Sequence, residues 1–276
     1  MLYFLPSPIG NLGDISLRVL DILKRCELAF CEDTRSSSRL FFLLNEKYSC
    51  DIHIKELIPL HSHNEAAFAY DIDTLKDKEI AVLCDAGMPT ISDPGLFLLR
   101  FARNNDLPYE VIPGANAALT ALVISGLSEG DFYFAGFLNV RKNRAASLEA
   151  LMQKPCAVIL YEASSRIFKL VQDIAEINSQ KELFAVKEIS KLHEQRFFGQ
   201  ASEVAKELEI SDLRGEWVLV LAPNKANEEK GISPQSLSRA DIKELLIAPK
   251  TKAKLLAKLS NTSIKDEYEA LIRQDQ

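Results

Sequence analysis

The first half of the chain alternates short apolar runs with stretches of helical periodicity. LYFL, ELAFC, IAVLC and YEVI have the length and the aromatic or β-branched content of buried strands. Leucines recur every three positions after the first run, and we predict a helix there from about Asp14, its N-cap, to Arg25. Further helices are predicted up to about residue 45, near 66–75, up to about 104 and up to about 126, with a polar, His-bearing stretch at 46–64. Alternating strands and helices predict parallel strands joined by right-handed crossovers.

The second half changes character, because five strand-like runs follow with fewer helices between them: FYFAGFL, CAVILYE, ELFAVKEI, QRFFG and EWVLVLA. This pattern favours a mixed sheet with an antiparallel portion. A polar stretch at 223–234 is typical of a linker, and three short helices are predicted after it. We therefore predict an α/β protein with a parallel-rich first lobe at 1–127, a mixed second lobe at 128–224 and a small helical C-terminal domain at 233–276.

Three predicted strands end abruptly at small or turn-forming residues. The loops are PSPIGNLGD at 6–14, DAGMPTISDPG at 85–95 and PGANA at 113–117. Open α/β sheets bind ligands in loops at the carboxyl ends of their strands, because backbone amides and helix starts face a crevice there. The pattern predicts an enzyme that binds a cofactor at these loops.

Several common cofactor and catalytic motifs are missing from the sequence. It has no G-x-G-x-x-G dinucleotide fingerprint, no G-x-x-x-x-G-K-[ST] phosphate loop and no G-x-S-x-G nucleophile elbow. The crevice is instead predicted to be lined by small residues and backbone groups, with few basic side chains. Such a site suits a compact cofactor that carries little negative charge.

The chain has 276 residues, of which 47% are hydrophobic, and this composition is typical of an ordered globular protein. Its cysteines have irregular spacing without a C-x-x-C pair, which predicts reduced thiols and no metal site. They are Cys26, Cys31, Cys50, Cys84 and Cys156. The first residues lack the pattern of a secretory signal, and the longest uncharged window, at 111–128, contains Pro, Gly and Asn residues that suit a strand, a turn and a helix better than a membrane span. We expect a cytoplasmic protein without a membrane segment.

The net charge of −6 argues mildly against a nucleic-acid partner, but the charge is unevenly distributed. From Gly231 onward, 8 Lys and Arg stand against 6 acids, so this tail carries a net charge of +2. Four of these cations fall in one predicted helix: Lys250, Lys252, Lys254 and Lys258. Charge alone favours a solvated helix face for them.

Six motifs, in order and spacing, carry a family resemblance: PSPIGNLGDISLR, CEDTRSSSRL, DAGMPTISDPG, VIPGANAAL, EISKLHE and RGEWVLV. The chain resembles, over essentially its whole length, the 16S ribosomal RNA 2′-O-methyltransferase I family, which modifies a decoding-centre cytidine. The resemblance implies the two-lobed class III methyltransferase fold of the tetrapyrrole methylase superfamily, with S-adenosylmethionine held between the lobes. It also implies a homodimer, and a substrate in the RNA of the small ribosomal subunit.

The resemblance implies cofactor contacts from both lobes. Glu162 is expected to interact with the positive charge of the cofactor. Glycines are expected to let the backbone approach the cofactor closely. The implied cofactor-binding residues are Pro8, Gly10, Asp85, Ala86, Gly87, Met88, Ile91, Pro113, Gly114, Asn116, Ala117, Glu162 and Ser190. The chain departs from the family in having Asn116 where Ser or Thr is usual, and EASSR at 162–166 where ESPHR is common.

The implied reaction is attack of a ribose 2′-hydroxyl on the sulfonium methyl group. Glu32, Asp33, Lys191 and Glu194 are the candidate catalytic residues, as proton acceptors or hydroxyl-positioning groups. Asp33 also suits a helix cap, and Lys191 with Glu194 also suits a surface ion pair.

RNA contact is expected from cations and aromatic rings. Phosphate contacts are predicted for Arg35, Arg39 and Arg166 and for the four lysines of the tail. Phe41, Phe42, Phe197 and Phe198 are candidates for base stacking, although their apolar surroundings favour the core.

Two other functions stay open at this point. One is a small-molecule methyltransferase of the corrin or siroheme pathway, with the same fold and cofactor. The other is a non-catalytic ribosome-assembly factor that keeps the cleft as a ligand sensor.

Overall fold

The computed structural model describes residues 1–61, 75, 77–128, 130–138, 144–224, 239–245, 247–260 and 262–274. The chain divides into two compact units, Met1–Asn224 and Lys225–Gln276. Within the described residues, no helix is long and apolar enough to cross a membrane.

The first sheet is entirely parallel, as the alternation of strands and helices predicts. Its strands are β1 (Leu2–Phe4), β2 (Leu28–Cys31), β3 (Glu56–Pro59), β4 (Ile80–Leu83) and β5 (Tyr109–Val111), in the order β3-β2-β4-β1-β5. β3 lies in the polar stretch for which no strand was predicted. It is an edge strand whose four residues are all partly or fully exposed, so it lacks the apolar run of a buried strand.

Four helices of this lobe are α1 (Leu17–Leu23), α2 (Thr34–Tyr48), α3 (Leu96–Asn104) and α4 (Ala117–Ser125). The predicted N-cap of α1 is wrong. Ser16 caps the helix by accepting from the Val19 amide, whereas Asp14 ends a short 3₁₀ turn. A hydroxyl at 16 leaves the preceding residues free to make that turn. α2 continues three residues beyond its predicted end, and the helix predicted near 66–75 falls outside the described residues except for Leu75.

The second sheet is mixed, and all five predicted strands are present. They are β6 (Phe132–Phe137), β7 (Ala157–Ala163), β8 (Glu182–Lys187), β9 (Gln195–Gln200) and β10 (Glu216–Leu221), in the order β6-β7-β10-β8-β9. Only β6 and β7 pair in parallel, and the other neighbours are antiparallel. α5 (Arg144–Met152), α6 (Ile167–Ile177) and α7 (Ala201–Glu209) complete this lobe.

α4 joins the two lobes, because it follows the last strand of the first sheet and packs on the second. Ala118 and Ala121 are buried against Val218, Val220 and neighbouring residues of the second sheet. Alanine side chains let the helix axis approach the sheet closely. The opposite side of the helix exposes Leu119 and Val123, which are 46% and 81% accessible.

The second unit contains three helices in its described residues: α8 (Arg239–Glu244), α9 (Pro249–Ser260) and α10 (Ile264–Gln274). Ala253, Leu256 and Ala257 of α9 are buried. The Arg239 guanidinium holds the buried Glu267 carboxylate in two hydrogen bonds of 2.9 and 2.7 Å, so α8 is tied to α10. Residues 225–238, which include most of the predicted linker, lie outside the described residues.

Candidate active site

The three predicted loops meet, because β1 lies between β4 and β5. Ser7 and Gly87 exchange backbone hydrogen bonds of 2.9 and 3.0 Å, and the Ser7 hydroxyl donates to the Cys84 carbonyl at 2.6 Å. Gly114 contacts Pro6 so closely that a Cβ at this position would lie 2.2 Å from the proline ring. These contacts join the loop after β1 to the loops after β4 and β5.

A cavity of about 390 Å³ lies between these loops and the second sheet, within the size range of small-molecule sites. Most of its walls are apolar or small residues. The lining residues are Ile9, Ala86, Gly87, Met88, Ile91, Ser92, Asp93, Asn116, Ala117, Phe137, Tyr161, Glu162, Ala163, Ser164, Ile189, Gly215, Glu216, Trp217 and Val218.

Asn116 and Ala117 reach the cavity because α4 begins there. The Asn116 side chain caps the helix by accepting from the Leu119 amide at 3.0 Å. The first amides of a helix have no partner within the helix, and the cap satisfies only one of them. The helix start therefore offers backbone donors at the edge of the cavity.

The second sheet contributes adjacent residues of two paired strands. Glu162 on β7 is in register with Trp217 on β10, and Ala163 is in register with Glu216. Trp217 is almost fully buried, and its indole donates to the Leu213 carbonyl at 2.8 Å. This partner holds the large ring in one position beside the cavity.

Glu162 is fully buried between two guanidinium groups. Its Oε1 accepts from Arg166 Nε and from the Ala163 amide, at 2.7 and 2.8 Å. Its Oε2 lies 3.7 Å from an Arg144 nitrogen and has no hydrogen-bond donor among the described residues. Arg144 Nε and Nη2 are likewise buried without a hydrogen-bond partner among the described residues, so Arg144 and Glu162 Oε2 interact through their charges and not through a hydrogen bond.

The lining is acidic. Among the described residues it contains Asp93, Glu162 and Glu216, and no Lys, Arg or His. Burial, followed by the repulsion of the neighbouring Glu32 carboxylate, raises the pKa of Asp93 to about 6. Cys84, Asp85 and Glu216 also face this carboxyl group.

These features fit a cofactor that carries net positive charge and a flat apolar part. Asp93 is a carboxyl group surrounded by other acids, and Ile9, Met88 and Trp217 supply apolar walls, whereas the charge of Glu162 is offset by Arg144 and Arg166. A sulfonium and an ammonium group would offset the crowded negative charge. An anionic dinucleotide or nucleoside triphosphate would meet repulsion from it.

A turn at 188–191, whose Ile189 lines the cavity, connects the lobes. Ser190 Oγ donates to Asp14 Oδ2 at 2.9 Å, which joins the second lobe to the loop after β1. Glu188 and Ser190 both have positive φ angles, of 54° and 66°, in the region that favours glycine. The surrounding contacts hold this backbone in a strained conformation, which is common near functional sites.

Seven of the thirteen predicted cofactor residues line the cavity: Ala86, Gly87, Met88, Ile91, Asn116, Ala117 and Glu162. The other six are absent from its lining: Pro8, Gly10, Asp85, Pro113, Gly114 and Ser190. Several of these have structural contacts instead. Gly10 faces Lys191 and the Ile189 carbonyl, and a Cβ there would lie 2.4 Å from Lys191 Cγ.

None of the four predicted catalytic residues lines the cavity. Glu32 accepts from the Asp85 amide at 3.3 Å, next to the lining residue Ala86. Glu194 accepts from the Ser190 amide at 2.7 Å and so supports the strained turn.

Asp33 and Lys191 have contacts that limit their use as bases. Asp33 caps α2, and hydrogen bonds from Arg35 lower its pKa to about 2. Burial lowers the pKa of Lys191, but its hydrogen bonds to Glu216 and Glu188 outweigh this, and the pKa is raised overall. A charged ammonium has no lone pair, so Lys191 can position groups but cannot accept a proton.

The predicted RNA-binding arginines lie at two places. Arg35 and Arg39 are exposed on α2, whereas Arg166 is bonded to Glu162 behind the cavity. In the second unit, Lys250, Lys254 and Lys258 are exposed at intervals of four residues on α9, and Lys252 is half-buried.

Sequence reasoning missed the lining residues Asp93, Phe137, Tyr161, Glu216 and Trp217. Asp93 had a signal, since it is an acid in one of the three loops. The other four are ordinary strand residues in the sequence, and only the pairing of β6, β7 and β10 brings them to the cavity.

Comparison with known proteins identifies the class first. The family model described as Tetrapyrrole (Corrin/Porphyrin) Methylases matches residues 1–205, about three quarters of the chain. A solved structure with this fold is uroporphyrin-III C-methyl transferase from Thermus thermophilus complexed with S-adenosyl homocysteine. It has a TM-score of 0.57 and 16% identity, covering 80% of this chain and 96% of that one. The fold and the cavity thus define a methyltransferase of the class that uses S-adenosylmethionine.

Two relatives narrow the class. "Ribosomal RNA small subunit methyltransferase I" of Campylobacter fetus is 43% identical over 99% of this chain and 100% of the relative. The protein of the same name from Helicobacter pylori strain J99 is 41% identical, over 97% of this chain and 96% of the relative. The chain therefore belongs to the ribosomal RNA small subunit methyltransferase I family.

Asp93 predicts how cofactor binding depends on pH. A bound cation favours the ionised carboxylate, so affinity should fall as pH decreases through about 6, by up to about tenfold per pH unit. Calorimetric titration with S-adenosylmethionine from about pH 8 to about pH 5 measures this. Asp93→Asn should bind more weakly at the upper pH and show a flatter profile. Ser92→Ala, at the adjacent lining residue, is the control, and a profile of Asp93→Asn parallel to the wild type would contradict the prediction.

Proposed function

We propose that the protein transfers the methyl group of S-adenosylmethionine to the ribose 2′-hydroxyl of a cytidine in 16S ribosomal RNA of the small subunit. The names of its relatives support the ribosomal RNA substrate. The family resemblance of the six motifs supports the 2′-hydroxyl and the cytidine. The observation that carries the proposal is the cavity between the lobes, which is lined by acidic residues and, in the part of the chain that the structure describes, by no cation.

When bound, S-adenosylmethionine supplies an electrophilic methyl group on its sulfonium. Asp93, which neighbouring carboxylates surround, provides negative charge for a cationic ligand. Arg144 and Arg166 hold Glu162 in place, so its carboxylate needs little reorganisation when the ligand binds. The loops after β1, β4 and β5 fix the position of the ligand, and alignment of the reactants contributes up to ~11 kcal/mol in favourable cases.

The 2′-hydroxyl must lose its proton as the bond to the methyl group forms. Glu32 is the best placed of the predicted acceptors, because its carboxylate accepts from the Asp85 amide, next to the lining residue Ala86. Asp33 is a weak base because Arg35 lowers its pKa. Lys191 and Glu194 support the turn at 188–191, and we propose positioning roles for them.

Methyl transfer to isolated small ribosomal subunits tests the proposed function. With radiolabelled S-adenosylmethionine, we expect incorporation into subunits and not into uroporphyrinogen. Incorporation into uroporphyrinogen alone would favour a small-molecule methyltransferase, and incorporation into neither would favour an assembly factor. Free 16S RNA as a third acceptor shows whether the assembled subunit is required.

A bulky side chain at Ala86 should remove cofactor binding. Ala86→Trp places an indole in the cavity, and we expect loss of calorimetric binding of S-adenosylmethionine and of methyl transfer. Circular dichroism should show a folded protein. The matched control is Ala146→Trp, at an exposed position of α5 outside the lining, which should bind normally. Unchanged affinity of Ala86→Trp would refute this placement of the cofactor.

The lysines of α9 are proposed as an electrostatic contact to ribosomal RNA. Lys250, Lys254 and Lys258 share one exposed face of the helix, which suits the phosphate backbone. Changing all three to Glu should weaken subunit binding and make it less salt-dependent, while cofactor affinity stays unchanged. Filter binding across a salt titration measures this. Equal affinity of variant and wild type at every salt concentration would count against the proposal.

We also propose that the protein is a cytoplasmic homodimer. Leu119 and Val123 lie one turn apart on the exposed face of α4, and apolar side chains in this position suit a surface covered by a second copy. Val123→Glu should shift the protein to a monomer in sedimentation equilibrium, with Ile210→Glu, at an equally exposed apolar position directly after α7, as the matched control. A wild-type monomer at micromolar concentration would contradict the dimer.

A further inference from the structure

One face of α2 combines two cations with an exposed aromatic ring. Arg35, Arg39 and Phe42 are spaced by four and three residues, so they lie along one stripe of the helix. All three are exposed, and Phe42 is 60% accessible. The opposite stripe, with Phe41 and Leu44, is buried in the first lobe. Phe41 therefore belongs to the core and Phe42 to the surface, a difference that the sequence did not show.

The beginning of this stripe lies beside the cavity. The Asp85 amide donates to Glu32, two residues before α2, and the Ser36 hydroxyl of the first turn bonds the Asp85 carboxyl group. Asp85 directly precedes the lining residue Ala86. Phe42 follows Thr34 by eight residues, so the stripe extends about 12 Å along the helix axis from this point.

The charges along this path favour a polyanion on α2 and oppose one at the cavity. Glu32, Asp85, Asp93 and Glu216 surround the cavity on this side. The Arg39 guanidinium has no carboxylate partner within the described residues, whereas Arg35 is paired with Asp33 at 2.7 Å. A phosphate group beside α2 therefore finds an exposed and available cation at Arg39.

An exposed phenylalanine next to an available guanidinium is suited to single-stranded RNA. Each base presents an apolar face that stacks on an aromatic ring, while the adjacent phosphate pairs with Arg. A surface that binds another protein would be expected to place further apolar residues around Phe42. Its neighbours on the stripe are instead Ser38, Arg39 and Glu46.

We propose that α2 holds the single-stranded RNA next to the target nucleotide, with Phe42 stacked on a base and Arg39 bound to a phosphate. This inference rests on the proposed function, and it adds a substrate-specificity surface outside the cavity. The acidic cavity then receives the target ribose while the charged backbone of the flanking nucleotides stays on the helix.

Substitution of Phe42 tests the stacking contact. Phe42→Ala should raise KM for small subunits about tenfold with little change in kcat, since a stacked base contributes to binding. Phe42→Trp should restore KM. With a short single-stranded RNA that contains 2-aminopurine, binding of wild type and of Phe42→Trp should quench the fluorescence of the RNA, and binding of Phe42→Ala should not.

Substitution of Arg39 tests the phosphate contact. Arg39→Gln should lower the salt dependence of RNA binding by about one phosphate contact, whereas Phe42→Ala should leave it unchanged.

Matched controls distinguish base stacking on Phe42 from a general effect of removing an exposed ring. Phe132→Ala removes another exposed phenylalanine, on edge strand β6, and should have no effect on KM. S-adenosylmethionine affinity should be the same for all variants. Unchanged KM of Phe42→Ala in an active enzyme would overturn the stacking proposal alone. A shift of Phe42→Ala from dimer to monomer would instead assign this face to a second copy and also overturn it. Absence of methyl transfer by the wild type to any RNA would overturn both this inference and the proposed function.

Discussion

The candidate site depends on the central position of β1. Because β1 pairs in parallel with β4 on one side and β5 on the other, three strands end next to one another, and their loops make direct contacts. Ser7 bonds the loop after β4, and Gly114 allows the loop after β5 to approach Pro6. A side chain at 114 or loss of the Ser7 contacts would separate loops that form one wall of the cavity.

The second wall is fixed by the packing of α4 on the other sheet. Ala118 and Ala121 are small enough to bring the helix close to β7 and β10, so Asn116 and Ala117 face Glu162 and Trp217 across the cavity. Larger residues would overpack this contact, at a typical cost of about 1–3 kcal/mol. The start of α4 thus links the lobes and also lines the cavity. A substitution that disturbs the packing of α4 should therefore change both the stability of the fold and the shape of the cavity.

Acidic and basic side chains are concentrated on different surfaces. The cavity concentrates carboxyl groups and suits a cation, whereas exposed cations are found on α2 and, in the second unit, on α9. We propose that these cations allow a chain of net charge −6 to bind RNA. The turn at 188–191 adds a connection between the lobes. Its two left-handed residues cost on the order of 1–3 kcal/mol each, which the bonds of Ser190 and Lys191 help to offset.

The sequence by itself determined the alternation of strands and helices, the two kinds of sheet and the three loops, because hydrophobic periodicity and turn residues are local signals. It also identified Ala86, Asn116 and Glu162, which lie in recognisable motifs. It missed β3, whose exposed residues give no apolar run, and it could not place Tyr161, Glu216 or Trp217 at the cavity. Only the tertiary structure decided those positions, since strand pairing and burial bring together residues that are distant in the chain. Burial likewise separated Phe41 from Phe42, because one residue of rotation on a helix exchanges the core for solvent.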